Sequence, residues 1–598
     1  MNAHYEDAND DLLSMQSDSE PVKRADKDWQ LLRSHLEQKL YGLRTWRQTW
    51  WSGDWYGISQ YILPRRSIHL TQSSGGIPTP NNMTRGRAIN TQIVDPTAQY
   101  CLRVLSAGLM SGLASPSRPW FKIVPWNNKS GISSEIRQWI DAQEDVVYSY
   151  LASSNFYNAF AQECEDLPAY GTAVTIIYED KDEGFRIQNP AIGEFYLSAD
   201  ATGRINGLYR MYVMTVEQIV GFFGSKNLPA SVGSLWNQKK SGLNTEFTIA
   251  HSIEPNYAID GIGKIPGNFA YREVFWVWGQ SSDIPLSMRG FVEKPFTASR
   301  WSTQSNDAYG RGPGSDILPD VKQLQVMVKR RAEGIEKQVR PPLLADMAMK
   351  NMPSSILPGD ITYVPNLGPN TGIRPIYTVT PDLNAMQAGI GELQQRISRG
   401  LFNDLFMMLE NLQNQRMTAY EVAQRMQEKM QVLGPVIESL INESLKPKLQ
   451  RIYSMLKRKG KLPPPPQGAE SVDLDIEFVS MLALAQKATA TGGLERISGL
   501  IGNLYAVFPE VADNLDVDAY IQEFNLLLGN PQKILVGPEI LKQKRDARAK
   551  QQQQMQQQQA MSHGVQTAKV GADAANVLAN TKVGAGADAL SQILSGGQ

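Results

Sequence analysis

The sequence predicts an α+β fold, and three observations carry that prediction. Two long stretches, 316–340 and 381–409, repeat apolar residues at the three-and-four spacing of a helix face. Seven segments between 170 and 302 alternate apolar and polar residues at period two, parted by turn signals such as DEG, ATG and DGIG. A short excursion rich in Pro, Gly and Asn, 341–379, joins the two helices and carries β-type runs at ITYV and RPIYTV.

In the first long helix Ser315 or Asp316 is positioned to cap the start, and Pro319 falls where a missing N–H costs nothing. Val321, Leu324, Val328, Ile335 and Val339 share a face, and Pro341 with Pro342 ends the helix at Arg340. The second follows Pro381. Leu383, Met386, Ile390, Leu393, Ile397, Leu401, Leu405 and Leu409 make an unbroken seam roughly 40 Å long at 1.5 Å per residue. The polar run NLQNQR, 411–416, interrupts it, and Thr418 with Glu421 forms a capping box that restarts a helix.

The remaining elements follow in chain order. Residues 1–23 are acidic and polar and read as disordered, with nothing of a secretory signal. A helix follows from about Arg24, on which Trp29, Leu32, Leu36 and Leu43 share a face. Trp46, Trp50, Trp51 and Trp55 extend it as an aromatic stripe suited to core or subunit packing. After a loop at 65–87, residues 89–126 hold a helix whose Ala98, Ala107, Gly108, Ser111, Gly112 and Ala114 permit close packing on a neighbour. An amphipathic helix from about Ser133 to Leu167 precedes the alternating region, 170–302, in which one helix is inserted near 215–225.

Beyond the second long helix, Ile437, Leu440, Ile441, Leu445, Leu449, Ile452 and Leu456 continue a helix from Pro435 to the cations and glycine at 457–460. Pro463–Pro466 is a stiff spacer, VDLDIEFV a strand, and helices follow from about Met481. The tail holds the basic cluster LKQKRDARAK, the tract QQQQMQQQQ and a repeat in which TAKVGADAANVL is echoed by TKVGAGADALSQIL. Such a tail is either disordered or a helix of small residues that needs neighbours.

At 598 residues the chain allows about three to four domains. With 59 basic against 60 acidic residues it has no global field to hold nucleic acid, so any contact with DNA is local or weak. Cys101 and Cys164 are too few for a disulfide framework, as in a protein made in a reducing cytoplasm. No apolar run approaches the roughly 18 residues of a membrane span, so no membrane partner is expected.

Catalytic motifs are missing. There is no P-loop, since GIGK at 261–264 lacks the spacing, and the glycines of GRGPGSD suit a turn feeding a helix better than a phosphate cradle. The five histidines form no metal-type cluster, and no G-x-S-x-G elbow occurs. Neither a cofactor nor a metal is expected. The carboxylates of ECED, 163–166, are the best acid/base suspects, with a solvated helix face as the plainer reading. Lys329, Arg330 and Arg331 lie on the first long helix. Its net positive charge suits packing against the net negative second helix, or transient contact with phosphate.

Several blocks carry a family resemblance: DPTAQYCLRVLSAGLMSGLASPSRPWF, GTAVTIIYED with GEFYLSADATGRINGLYR, KPFTASRW followed by YGRGPGSDILPDVKQLQ, RMTAYEVAQRMQE, and DIEFVSMLALAQKA. In this order, across about 25–490, they resemble the head-to-tail connector, or portal protein, of short-tailed double-stranded DNA bacteriophages. The resemblance implies a non-enzymatic ring, usually of twelve subunits, at one capsid vertex of the virion, made in the host cytoplasm. Through that ring DNA is packaged and ejected.

The resemblance also implies a portal architecture: a wing at 24–308 (helical 24–168, mostly β 170–302), a stem of 309–340 and 381–410, and a clip at 341–380. It places a tunnel loop at 411–418, further wing helices and a strand at 419–478, a crown at 479–537, and a tail or helical barrel at 538–598. Implied partners are double-stranded DNA without sequence specificity, a separate terminase carrying the ATPase, capsid and scaffold proteins, and tail adaptors. Asn411, Gln413, Asn414, Gln415 and Arg416, with Lys329, Arg330 and Arg331, are the candidates for touching DNA. Asp346, Lys350 and Asn351 are the candidates for touching terminase or tail. The rival readings are an assembly protein of scaffold type without a DNA path, and a metal-dependent nuclease built on 163–166.

Overall fold

The computed structural model describes residues 26–67, 92–117, 119–126, 134–180, 183–226, 228–238, 242–258, 263–280, 284–340, 343–344, 350, 374–375, 382–406, 433–466, 474–478, 497–503, 517–518, 520–521 and 538–580. They divide into two units, a large one holding most of 26–464 with 474–490 and a smaller one holding 125–141, 465–473 and 491–598. The fold is α+β.

The large unit is organised around a five-stranded antiparallel sheet, ordered β4 (Phe195–Ala199), β5 (Ile205–Thr215), β6 (Glu246–Pro255), β7 (Tyr271–Val277) and β8 (Ser287–Phe291). Alternation decides which residues face which layer. Tyr209, Met211, Ala250, Val274 and Trp276 point to α1 (Asp26–Trp50), whose Trp29, Leu32, Leu36 and Leu40 are buried against them. Ile249, Phe275 and Val277 point the other way, onto α6 (Val216–Phe223) and α7 (Ala230–Asn237). Two helices are therefore inserted where the pattern suggested one. β8, with Gly290 within SMRGF, shows too little alternation to be read from sequence.

A second sheet, β3 (Phe185–Gln188), β2 (Thr172–Glu179) and β9 (Phe296–Arg300), is also antiparallel, while β1 (Phe121–Pro125) hydrogen-bonds to β12 (Leu474–Phe478). The helix expected over 133–167 is two, α4 (Ser134–Ser153) and α5 (Phe156–Tyr170). Asn155 makes the corner: its side chain donates to Ile187 O at 2.8 Å and accepts from Ile187 N at 2.9 Å. These two bonds reward leaving the helix.

Of the aromatic stripe that ends α1 and leads into α2 (Tyr56–Tyr61), three members pack on one ring. Trp46, Trp50 and Trp55 surround the buried ring of Tyr309 with centroids at 6.0, 6.1 and 5.2 Å, and Trp55 Nε1 donates to Tyr170 O. A helix running from 433 passes through a π turn, Ile441–Leu445, into α11 (Lys446–Arg458). Pro447 has no N–H for the carbonyl four residues back, and the wider turn relieves that gap. In the smaller unit, α12 runs from Pro538 to Asn580, so of the two readings of the tail the helix holds to that residue.

Candidate functional site

The two long helices are α8 (Pro313–Val339) and α9 (Leu383–Gly400), with β10 (Leu343–Leu344) and β11 (Arg374–Pro375) paired antiparallel between them. α8 starts earlier than its capping residues suggested. Pro313 opens it, Gly312 is its cap without a side-chain bond, and Pro319 lies inside. Tertiary contact explains the shift. A Cβ on Gly314 would stand 2.3 Å from Ala169 O, and one on Gly312 2.6 Å from Pro168 O. Gly171, at φ 77°, meets Gly310 just as closely. Backbone therefore lies on backbone, which only glycine permits. Gly310 N donates to Thr172 Oγ1 at 2.8 Å and Trp301 N to Gly171 O at 2.9 Å, fastening the foot of α8 to the corner between α5 and β2.

Above this joint the helices pack through Ile317, Val321 and Leu324 of α8 and Ile390, Leu393 and Ile397 of α9, all buried, while Leu318 lies on Gly57. Asp382 caps α9, accepting from Asn384 N and Ala385 N at 3.0 Å. Gln325 closes the seam: its Oε1 accepts from Val94 N and Asp95 N at 2.7 and 2.8 Å, and its Nε2 donates to Asp95 O. Arg396 of α9 pairs with Asp320 of α8 at 2.8 Å. Its sense is opposite to the one the net charges suggested, because position on the seam outweighs the sum along a helix.

The α9 seam does not run unbroken to Leu409. Leu401 is its C-cap, Phe402 turns with φ 54°, and a short helix α10 (Asn403–Phe406) follows. The turn seats the Phe406 ring on Gly108 of α3 (Thr97–Leu113), where a Cβ would lie 2.2 Å from Phe406 Cδ1. The seam up to Gly400 is about 27 Å long, from 18 residues at 1.5 Å each.

Past Gln325 burial ends on α8: Val326 is 58% exposed, Ile335 38% and Val339 72%. At 100° per residue, Lys322, Lys329, Arg330, Lys337 and Arg340 fall within a sector of about 100°, opposite the apolar seam. All five are exposed. One carboxylate lies in that sector, Glu333, and it pairs with Arg330 at 2.7 Å. Arg331 belongs to the other side, in line with Leu324, Val328 and Ile335, and is half-buried. The adjacent trio in the sequence therefore separates, and Lys322, Lys337 and Arg340 join two of its members. Helical spacing held that signal, whereas the run of three adjacent cations hid it.

Lys350 is exposed. Asp346, Asn351, Asn411, Gln413, Asn414, Gln415 and Arg416, and the capping box of Thr418 and Glu421, lie outside the described residues.

The carboxylates of 163–166 are not a solvated face. Glu163 is 1% exposed and pairs with Lys448, itself 1% exposed, while accepting from Ser299 Oγ at 2.7 Å and Ser444 Oγ at 2.6 Å. Asp166 is buried against Arg66, whose Nε donates at 2.8 Å. Burial raises the Asp166 pKa, opposed by Arg66, and burial with the neighbouring Asp166 raises that of Glu165. These groups tie α5 to β9, α11 and the 3-10 turn Pro64–Ser67. Glu163 and Asp166 are engaged by cations, so neither is presented to a substrate. Among the described residues no three His, Cys, Asp or Glu side chains are grouped to hold a metal ion. Nor, among them, is any helix long and apolar enough to cross a membrane.

Comparison with known proteins gives two kinds of match. The family model described as "Bacteriophage head to tail connecting protein" matches residues 33–535. A "Probable portal protein" of Bordetella phage BPP-1 is 36% identical over 526 residues, 88% of this chain and 93% of that protein. A "Portal protein" of Salmonella phage epsilon15 is 34% identical over 521 residues, 87% of this chain and 91% of that one.

Proposed function

The chain belongs to the bacteriophage head-to-tail connecting proteins, and from that premise we propose that it is the portal of a double-stranded DNA phage, a structural virion protein at the junction of capsid and tail. Copies assemble into a ring, usually of twelve subunits in such proteins, whose channel carries the genome during packaging and ejection. Terminase, tail adaptors, capsid and scaffold proteins dock on it. Residues 309–340 and 381–410 form the stem, 341–380 the clip, 411–418 the tunnel loop, 24–308 with 419–478 the wing, 479–537 the crown and 538–598 a tail or barrel.

The observation that carries this reading is the division of α8 into a buried seam and an exposed cationic stripe. A single stalk encloses nothing, but a ring of stalks turns one set of faces into walls and another into a charged lining. The charge is modest, five cations against one carboxylate in the sector, so phosphate contacts stay weak. A strongly cationic lining would hold the duplex by counterion release. Electron microscopy of the purified protein tests this. Averaged top views with a central pore wide enough for duplex DNA are expected, and monomers or small closed dimers would overturn the reading. Within a ring, replacing Gln413, Asn414, Gln415 and Arg416 by alanine is expected to leave assembly intact and alter DNA packaging or retention.

A further inference from the structure

One motif is not absorbed by the stem, the basic cluster at the start of α12. Residues 541–550 hold five cations and one anion, Asp546, in a chain whose net charge is −1. The stretch 551–568 that follows contains no Lys, Arg, Asp or Glu. Every side chain from Lys542 to Met555 is exposed, so no apolar seam commits this part of the helix to packing within the chain.

The cations are not equivalent. Arg545 is engaged, its two terminal nitrogens donating to Asp518 at 2.6 Å each, and it holds the Asp518 carboxyl below the usual range. Lys542 and Lys550 stand four residues either side of Asp546, the helical spacing at which a carboxylate offsets part of a lysine's charge, although neither is within ion-pair distance of it among the described residues. Lys544 and Arg548 are also four apart, but on a different face of the helix. Among the described residues no carboxylate lies within ion-pair distance of either. The next positions along that face are Gln551 and Gln552, both exposed, whose amides can donate to phosphate oxygens.

We propose that Lys544, Arg548, Gln551 and Gln552 form a contact site for the sugar-phosphate backbone of double-stranded DNA, separate from the stem stripe. The inference rests on the reading that duplex DNA passes along this protein. Two cations without sequence-reading partners give a weak contact that lets a duplex slide.

The test uses the full-length protein and a random-sequence 30-base-pair duplex, with binding followed by fluorescence anisotropy across a salt series. Lys544→Ala with Arg548→Ala is expected to weaken binding and to reduce the slope of log affinity against log salt by about 1.8, two contacts at roughly 0.9 each. Lys542→Ala with Lys550→Ala, which removes the same formal charge, is expected to change the slope by less than half of that. An unchanged slope in the first variant, or equal losses in both, would overturn the site and leave a solvated basic turn. Circular dichroism checks that both variants keep their helix. Rings with an unchanged slope would sink this site alone, whereas failure to form rings would sink the portal reading.

Discussion

From Pro313 to Gln325 α8 is walled in by α5, α9 and the segment around Asp95, whereas from Val326 to Arg340 most of its side chains are exposed. One continuous helix thus obeys two sets of constraints. In the lower half the residue type at each buried position answers to a neighbour in the same chain: glycine where backbone crosses backbone, Ile and Leu in the seam, Gln325 where three backbone groups need partners. In the upper half the chain supplies few neighbours, and the residues there are cations and apolar side chains facing solvent. Substitutions below should be felt as stability, and those above as function.

The largest effect is expected where the wall itself is broken. Glu163→Ala leaves Lys448 buried without its carboxylate, in a place where water cannot replace it, and a loss of about 3–5 kcal/mol is expected. Denaturant titration of the purified protein measures it, and a loss near zero would show that the wall is not rigid. Gly314→Ala comes next. Its Cβ would press on Ala169 O, a backbone atom that cannot swing aside, so about 1–3 kcal/mol is expected. Val326→Ala, at the first position past the seam, should stay within about 0.5 kcal/mol. Comparable losses at Gly314 and Val326 would erase the distinction between the halves.

A further prediction concerns the sheet that supports this wall. His251 is fully buried, stacked on Phe275 with ring centroids 4.1 Å apart and bonded to Glu273 Oε1 at 2.9 Å. Burial lowers its pKa below 6.5, although Glu273 pulls the other way. The unfolded chain therefore binds the proton more tightly than the folded one. The stability contributed by neutral His251 is complete above pH 6.5 and falls as the pH drops from there through the folded value. His251→Gln should flatten the pH dependence of the unfolding midpoint in that window, and an unaltered slope would assign the dependence to other groups.

The same division explains what the sequence could disclose. Seams with helical spacing placed α1, α8, α9 and α11, and alternation placed most strands of both sheets, because these patterns are local. The start of α8 was missed because Gly312 and Gly314 answer to residues 167–171, more than 140 positions away in the chain. The end of the α9 seam was missed for a like reason, the seating of Phe406 on Gly108. Glu163 was misread even though a signal existed. Phe156, Ala159, Phe160, Cys164 and Leu167 mark the buried face of α5, and Glu163 falls within it. A carboxylate on an apolar face announces a buried partner, but nothing local could name Lys448. The stripe on α8 was legible in full from 100° spacing, once the cations were projected round the helix rather than along it.

The smallest stability effect, and the sharpest test of the division, belongs to the cations of that helix. Lys329 and Arg330 stand in the exposed stripe, and Arg331 on the seam side with its Nε buried and without a hydrogen-bond partner among the described residues. Lys329→Ala with Arg330→Ala removes two exposed charges and one exposed pair to Glu333, so stability should move by no more than about 0.5 kcal/mol. If the stripe meets phosphate, the same double variant lowers the salt slope of duplex binding by about 1.8. Arg331→Ala should do the reverse, shifting the unfolding midpoint while the salt slope holds. Three adjacent cations would then report two different environments. A slope lowered equally by all three would mean that the duplex responds to total charge rather than to one face of α8, and the stripe would lose its functional meaning.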